Sequence, residues 1–263
     1  MDGYENLKVR ADGFVLHVSL NRPDTRNALN AGLIADLTDC FEQVAEDETV
    51  RVVVLSGEGR SFCAGADIGY MRDTANFTYE ENLEDARRLA AMYRAVEACP
   101  KPVVAAVRGA AIGGGAGLVA AADVVLAEEG TVFAFSEVRL GIAPATIAPF
   151  VVRKIGLSQA RTLFLVGERF DAGRAQEIGL VHEAVPEDRL DETVEEKVSQ
   201  LLKGGPRAQA ATKGLLDELR SAAPDEITGL MAHRIAALRT GVEGQEGLGA
   251  FMEKRKPAWR GEQ

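Results

Sequence analysis

Apolar and amphipathic segments alternate along the first two-thirds of the chain, and this alternation constrains the fold more than any other feature. Residues 14–20 alternate polar His17 and Ser19 with apolar side chains and predict a strand, and residues 51–56 are rich in β-branched side chains and predict a buried strand. Residues 31–44 place apolar side chains at helical spacing behind Asn30, and residues 80–98 form a charged helical segment. Strands that alternate with helices are typical of parallel sheets with helical crossovers, so the sequence predicts an α/β fold.

The last third of the chain follows a different pattern. From about residue 144 it is almost entirely helical, with one strand-like segment at residues 180–185. We predict a core over residues 1–200 and a helical region over residues 201–263. The leucine and alanine faces of that region either fold back on the core or pack on another subunit, and the pattern favours neither.

Composition excludes several classes of protein. Hydrophobic residues make up 46% of the 263 residues and charged residues 27%, which is ordinary for a globular protein. The net charge of −10 argues against non-specific nucleic-acid binding. The longest uncharged apolar stretch, residues 109–122, is too short to span a membrane. Three cysteines without a CxxC pair fit a reducing cytoplasm, where we expect the protein to reside.

The common catalytic motifs are absent. The glycine run at residues 113–117 lies where a dinucleotide fingerprint would lie, but Leu118 stands where its last glycine or alanine is required. There is no G-x-x-x-x-G-K-[ST] loop and no G-x-S-x-G elbow. The three histidines are scattered, so we expect no metal site.

Two glycine-rich turns and one acid are the remaining candidates for chemistry. The turns, residues 61–70 and 109–117, each follow a buried strand, and the second opens a helix. Two backbone N–H donors, one from each turn, are what an oxyanion hole requires, although such glycines also serve tight strand–helix packing. Glu137 directly follows an apolar strand, so we expect desolvation to raise its pKa toward a value useful for acid–base catalysis. The alternative is a helix-capping glutamate.

Six blocks of the chain resemble the crotonase, or enoyl-CoA hydratase/isomerase, superfamily, in the same order and over nearly the full length. The resemblance implies a spiral of ββα units with a C-terminal helical region that trimerises, and two trimers often stack into a hexamer. The blocks are NRPDTRNALN (21–30), AGADI (64–68), PVVAAVRGAAIGGGAGL (102–118), SEVRLGIAP (136–144), RFDAGRAQEIGLVHEAVP (169–186) and FMEKRKPAW (251–259).

The family binds acyl-CoA thioesters and stabilises an enolate of the thioester carbonyl. The resemblance implies that the amides of Ala66 and Gly114 form the oxyanion hole and that Glu137 is the acid–base group. The backbone carbonyls of Ala64, Ala66 and Ile68 would meet the adenine. Coenzyme A would enter as part of the substrate, and no tightly bound cofactor is expected.

The resemblance also assigns three residues to the rest of coenzyme A. Arg26 and Lys254 would face its phosphates, which gives an acidic protein local positive charge for an anionic ligand. Phe251 and Lys254 would come from the neighbouring subunit. Taken without the resemblance, Lys254 in the EKRK segment indicates only a solvated helix face.

The chain departs from the family at one important position. Hydratases with two glutamates carry the first in the helix after the GGG turn, where this sequence has Gly117, and only Glu137 remains. The usual lysine after AGADI is also replaced, by Gly69. A single carboxylate suits a hydratase that adds water on one face, or a Δ3,Δ2-enoyl-CoA isomerase. A non-catalytic acyl-CoA-binding or RNA-binding member is a third reading.

Two blocks, GGGAGL and SEVRLGIAPA, resemble a bacterial branch that acts on branched, carboxylated substrates. Its members are of the methylglutaconyl-CoA and γ-carboxygeranoyl-CoA hydratase kind. A substrate carboxylate favours an arginine partner, and Arg72 lies in the variable loop expected to line the acyl end. The first choice from sequence is therefore an enoyl-CoA hydratase with Glu137 as its only acid–base residue.

Overall fold

Nine strands arranged in two sheets form the centre of the part of the chain that the structure describes. The computed structural model describes residues 3–221 and 223–260, so the predicted ranges 1–200 and 201–263 extend slightly beyond it at both termini. The strands are β1 (Leu7–Asp12), β2 (Val15–Leu20), β3 (Val52–Gly57), β4 (Val103–Val107), β5 (Ala110–Ile112), β6 (Val124–Glu128), β7 (Val132–Ala134), β8 (Arg169–Asp171) and β9 (Glu183–Val185).

The larger sheet has six strands in the order β1-β2-β3-β4-β6-β9. All of its neighbours pair in parallel except β1 and β2, which form an antiparallel pair. The smaller sheet has the order β5-β7-β8, with β5 parallel and β8 antiparallel to β7. The predicted α/β class with a mainly parallel sheet is therefore confirmed.

Three strands lack the apolar runs by which the others are predicted. Four of the six residues of β1 are exposed, because β1 lies at the edge of the larger sheet. Strands β5 and β8 have only three residues each. The predicted strand at 180–185 is shorter than expected, since Leu180 and Val181 are buried in the core without pairing in a ladder.

Helices cover the sheets and form most of the described part of the chain after β9. Helix α1 begins where predicted, because the Asn30 side chain accepts a hydrogen bond from the Leu33 amide at 2.8 Å. The helices are α1 (Ala31–Glu46), α2 (Ile68–Thr74), α3 (Tyr79–Ala98), α4 (Gly114–Ala121), α5 (Ala148–Val166), α6 (Ala172–Glu177), α7 (Leu190–Leu201), α8 (Pro206–Ser221), α9 (Pro224–Thr240) and α10 (Val242–Met252).

The C-terminal helices attach to the amino end of the larger sheet. Arg51, which directly precedes β3, donates to the carbonyls of Leu202, Gly204 and Trp259. Lys213 of α8 forms a 2.6 Å ion pair with Asp123, so α8 folds back on the core. Helix α9 has no buried residue, so its apolar side chains remain at least partly exposed within the described part of the chain.

Candidate active site

The two glycine-rich turns lie side by side and are joined by backbone hydrogen bonds. The Cys63 amide donates to the Ala110 carbonyl and the Ile112 amide donates to the Cys63 carbonyl, both at 3.0 Å. Gly65 has φ +101°, and a Cβ there would lie 3.2 Å from the Ile112 carbonyl oxygen. Because both turns follow strands of the fold, the fold brings together donors that are about fifty residues apart.

The two amides predicted for the oxyanion hole, those of Ala66 and Gly114, point away from the backbone ladder. Neither donates to a backbone carbonyl in the described part of the chain. The residues on either side of Ala66 are fixed, because Leu29 donates to the Gly65 carbonyl at 2.7 Å and accepts from the Asp67 amide at 2.9 Å. Gly114 is the first residue of α4, where amides are free and the helix dipole is positive.

Glu137 lies directly beside the second turn. It begins a short 3-10 turn, Glu137–Leu140, just after β7. Its Oε1 atom lies 3.0 Å from the position that a Cβ on Gly113 would occupy, and Gly113 has φ +51°. Any side chain at position 113 would therefore strain the backbone and press on the carboxylate.

The environment of this carboxylate suits acid–base chemistry. Its Oε2 atom is buried and has no hydrogen-bond partner among the described residues. Desolvation raises the pKa of Glu137, and a hydrogen bond from its own backbone amide offsets part of that rise. Ser136, the residue before this turn, makes no side-chain capping hydrogen bond.

The space next to Gly117 is filled by other residues. A Cβ at position 117 would lie 3.0 Å from Tyr93 Cε1 and 3.0 Å from Ile147 Cβ, and Ile147 Cγ2 is nearer still. Tyr93 and Ile147 are both buried. The position where two-glutamate hydratases carry their first acid therefore has neither a carboxylate nor room for one.

Four of the residues predicted to contact coenzyme A surround the first turn. The Ala64 amide donates to the Arg26 carbonyl at 3.0 Å, so Arg26 lies alongside the AGADI segment. Arg26 is exposed and has φ +53°. Ala66 is exposed, Ala64 is half-buried, and the Ile68 side chain is 77% exposed at the start of α2. The segment thus presents small residues and open backbone to solvent.

Phe251 lies in α10 and Lys254 follows it, and α10 packs against α8 and α9. Their segment leads to Trp259, whose carbonyl accepts a 2.7 Å hydrogen bond from Arg51 at the start of β3. The six residues of β3 span about 20 Å before the chain reaches the first turn. Phe251 is 83% exposed, and the attachment point of its segment is about one strand length from the first turn.

Arg72 occupies the last turn of α2, and its side chain is exposed. Its helix is held to α3 through Tyr70, whose hydroxyl donates to Asp85 at 2.6 Å. Arg72 is therefore close in sequence to Tyr70, which holds α2 to α3 at the edge of the site. It makes no side-chain ion pair among the described residues.

Sequence reasoning missed Tyr93 and Ile147. Both lie at apolar positions of their segments, so the pattern indicates only core packing. The signal that was available is indirect: a glycine inside α4 costs about 1 kcal/mol relative to alanine, which suggests that a neighbour needs its space.

No group of His, Cys, Asp and Glu in the described ranges is arranged to hold a metal ion. No described helix is both long and apolar enough to cross a membrane.

The chain is similar in sequence and in fold to known enoyl-CoA hydratases. The family model for enoyl-CoA hydratase/isomerase matches residues 10–262. The 2,3-dehydroadipyl-CoA hydratase of Escherichia coli is 35% identical over 94% of this chain and 95% of its own length. Enoyl-CoA hydratase AKT6-1 of Alternaria alternata is 33% identical over 97% of this chain and 83% of its own. The crystal structure of an enoyl-CoA hydratase from Shewanella pealeana superposes with a TM-score of 0.94, at 36% identity, covering 97% and 96% of the two chains.

Proposed function

This chain belongs to the enoyl-CoA hydratase/isomerase family, and we propose that it adds water reversibly to an α,β-unsaturated acyl-CoA with Glu137 as its only acid–base carboxylate. The observation that carries this proposal is the buried, partnerless Oε2 atom of Glu137 beside the two turns. Leaving a buried carboxylate oxygen unpaired is unfavourable, so a purely binding protein has no reason to keep it.

The chemistry follows from the arrangement of the two amides and the carboxylate. Ala66 and Gly114 donate to the thioester oxygen and stabilise the enolate that forms when the double bond is attacked. Glu137 accepts a proton from water as the oxygen bonds to Cβ, and then delivers a proton to Cα. Because one group performs both transfers, water and proton add to the same face.

Coenzyme A is held by backbone and by local cations. The carbonyls of Ala64, Ala66 and Ile68 face the adenine, and Arg26 neutralises phosphate. Phe251 and Lys254 complete the site from a neighbouring subunit of a trimer, two of which stack into a hexamer. The attachment of their segment at the start of β3, about one strand length from the first turn, supports this arrangement.

The substrate is proposed to be branched or carboxylated, such as 3-methylglutaconyl-CoA. Arg72, exposed at the end of α2, is the residue that would pair with the substrate carboxylate. The Escherichia coli relative is named a 2,3-dehydroadipyl-CoA hydratase, and its dicarboxylic acyl group supports this class of substrate. We place the enzyme in the cytoplasm, since its three cysteines are buried free thiols.

A Δ3,Δ2-enoyl-CoA isomerase is the second candidate, because the filled space at Gly117 leaves Glu137 as the one candidate carboxylate, which is enough for isomerisation. An isomerase moves one proton between two carbons without water, so it needs no second acid. The missing carboxylate therefore fits both reactions, and the product distinguishes them.

The test is the mass of the product formed by the purified wild-type enzyme. Crotonyl-CoA, a 3-enoyl-CoA and 3-methylglutaconyl-CoA are incubated separately, and each product is weighed by mass spectrometry. A gain of one water, about 18 Da, supports hydration, and the fastest substrate identifies the acyl class. A double-bond shift without a mass change establishes isomerisation instead and refutes the hydratase proposal.

A further inference from the structure

Tyr93 of α3 reaches under the oxyanion hole. Its side chain is fully buried, and its hydroxyl donates to the Gly114 carbonyl at 3.0 Å. The hydroxyl oxygen also lies 2.8 Å from the position that a Cβ on Gly114 would occupy. The same ring packs against Gly117 and lies 5.6 Å, centroid to centroid, from the ring of Phe150. Tyr93 therefore joins the first turn of α4 to α3 and α5.

The hydroxyl has a function that packing alone does not explain. A phenylalanine would fill nearly the same volume without burying a polar group. Desolvation raises the pKa of Tyr93 well above its ordinary value, with smaller contributions from Cys63, Glu137 and Tyr70. The phenol therefore stays protonated and remains a hydrogen-bond donor to Gly114.

Hydrogen bonds hold the backbone on both sides of Gly114. Gly113 and Gly114 have no side chains, so rotation about this segment is opposed by little steric hindrance. One end is fixed by the Gly113 amide, which donates to the Ala134 carbonyl at 2.8 Å. The hydroxyl of Tyr93 fixes the other end at the Gly114 carbonyl. The Gly114 amide shares its peptide group with the Gly113 carbonyl, which accepts from the Gly117 amide at 3.0 Å, so the Tyr93 hydroxyl reinforces this orientation from the next peptide group.

We propose that Tyr93 is a positioning residue whose hydroxyl holds the Gly114 amide in the orientation that stabilises the enolate. The inference rests on the proposed function, because it requires that Gly114 donate to the thioester oxygen. Removing an oxyanion-hole donor outright lowers kcat by about 10²–10³-fold. Loosening a donor that is still present should have a smaller effect, and we expect about a 10-fold loss of kcat with KM changed less than about twofold.

The experiment measures enolate formation separately from turnover. Acetoacetyl-CoA is bound to wild-type enzyme and to the Tyr93→Phe variant, and the ultraviolet band of its enolate is followed as a function of pH. We expect the variant to bind the thioester but to need a higher pH for the same enolate fraction. The matched control is Tyr4→Phe, which removes a hydroxyl bonded to Asp39 outside the site and should behave as wild type.

A second variant protects the test from a folding defect. Incorporation of 4-fluorophenylalanine at position 93 keeps the shape of tyrosine and removes the donor, and it should match Tyr93→Phe. An enolate band and kcat equal to wild type in either folded variant would overturn the role of Tyr93 alone. A wild-type enzyme that binds acetoacetyl-CoA without any enolate band would overturn the oxyanion hole, and the role of Tyr93 with it.

Discussion

A methyl group at position 117 tests whether the site has closed around the missing carboxylate. In a Gly117→Ala variant the new Cβ would lie 3.0 Å from both Tyr93 Cε1 and Ile147 Cβ, and closer to Ile147 Cγ2. Neither neighbour can retreat easily, because Tyr93 is bonded to Gly114 and both side chains are buried. The β-branched Ile147 is also stiff about χ1.

The magnitude follows from two opposing effects. Overpacking a core by one methyl group costs about 2 kcal/mol. Replacing a glycine inside a helix by alanine gains about 1 kcal/mol, so Gly117→Ala should lose about 1 kcal/mol of unfolding free energy. Gly214 is exposed in α8, and a Cβ there would meet no other atom within 4 Å. Gly214→Ala should therefore gain about 1 kcal/mol of unfolding free energy. The two matched variants should differ by about 2 kcal/mol.

Urea unfolding at one protein concentration measures this difference, because oligomer stability depends on concentration. Pairing Gly117→Ala with Ile147→Leu removes Cγ2 and should recover about 1 kcal/mol relative to the sum of the single effects. Pairing it with Ile147→Val keeps Cγ2 and should recover nothing. Equal stability of the two alanine variants, or equal coupling of Leu and Val, would refute the reasoning.

Three further predictions concern pH, substrate and subunit contacts. Because burial raises the folded pKa of Glu137, the wild type loses stability as pH rises through that pKa; in thermal melts, Glu137→Gln should be the more stable protein at pH 7, and the difference should vanish below the ordinary pKa of 4.5. Arg72→Ala should lower kcat/KM for 3-methylglutaconyl-CoA about 10-fold and leave crotonyl-CoA unchanged, so equal losses in steady-state assays would exclude a carboxylate contact. Lys254→Ala should raise KM about 5-fold at constant kcat, and the effect should fade at high salt; an unchanged KM at low salt would remove Lys254 from the CoA site.

The sequence predicts the central strands because their side chains are buried on both faces. Strand β4 is buried at all five residues, so its apolar run is unbroken. Strand β8 has a single buried residue between two exposed ones, and three residues are too few to establish a period. Such short strands are specified by their partners in the sheet, which local sequence does not contain.

The candidate site divides in the same way. Glu137 and the two turns are predictable because each directly follows a strand, where parallel topology brings chain segments together. Tyr93 and Ile147 are not predictable as site residues, because their side chains occupy the space beside Gly117. An apolar or aromatic residue on a helix has the same sequence pattern whether it lies beside a catalytic group or elsewhere in the core.

The most direct test of the account is the hydration rate of Glu137→Gln on the best substrate of the panel. The matched control is Glu129→Gln, which neutralises an exposed glutamate in the turn before β7. The account predicts that Glu129→Gln keeps wild-type activity and that Glu137→Gln loses about 10²–10⁴-fold in kcat while still binding acyl-CoA. Wild-type hydration by a folded Glu137→Gln enzyme would contradict it.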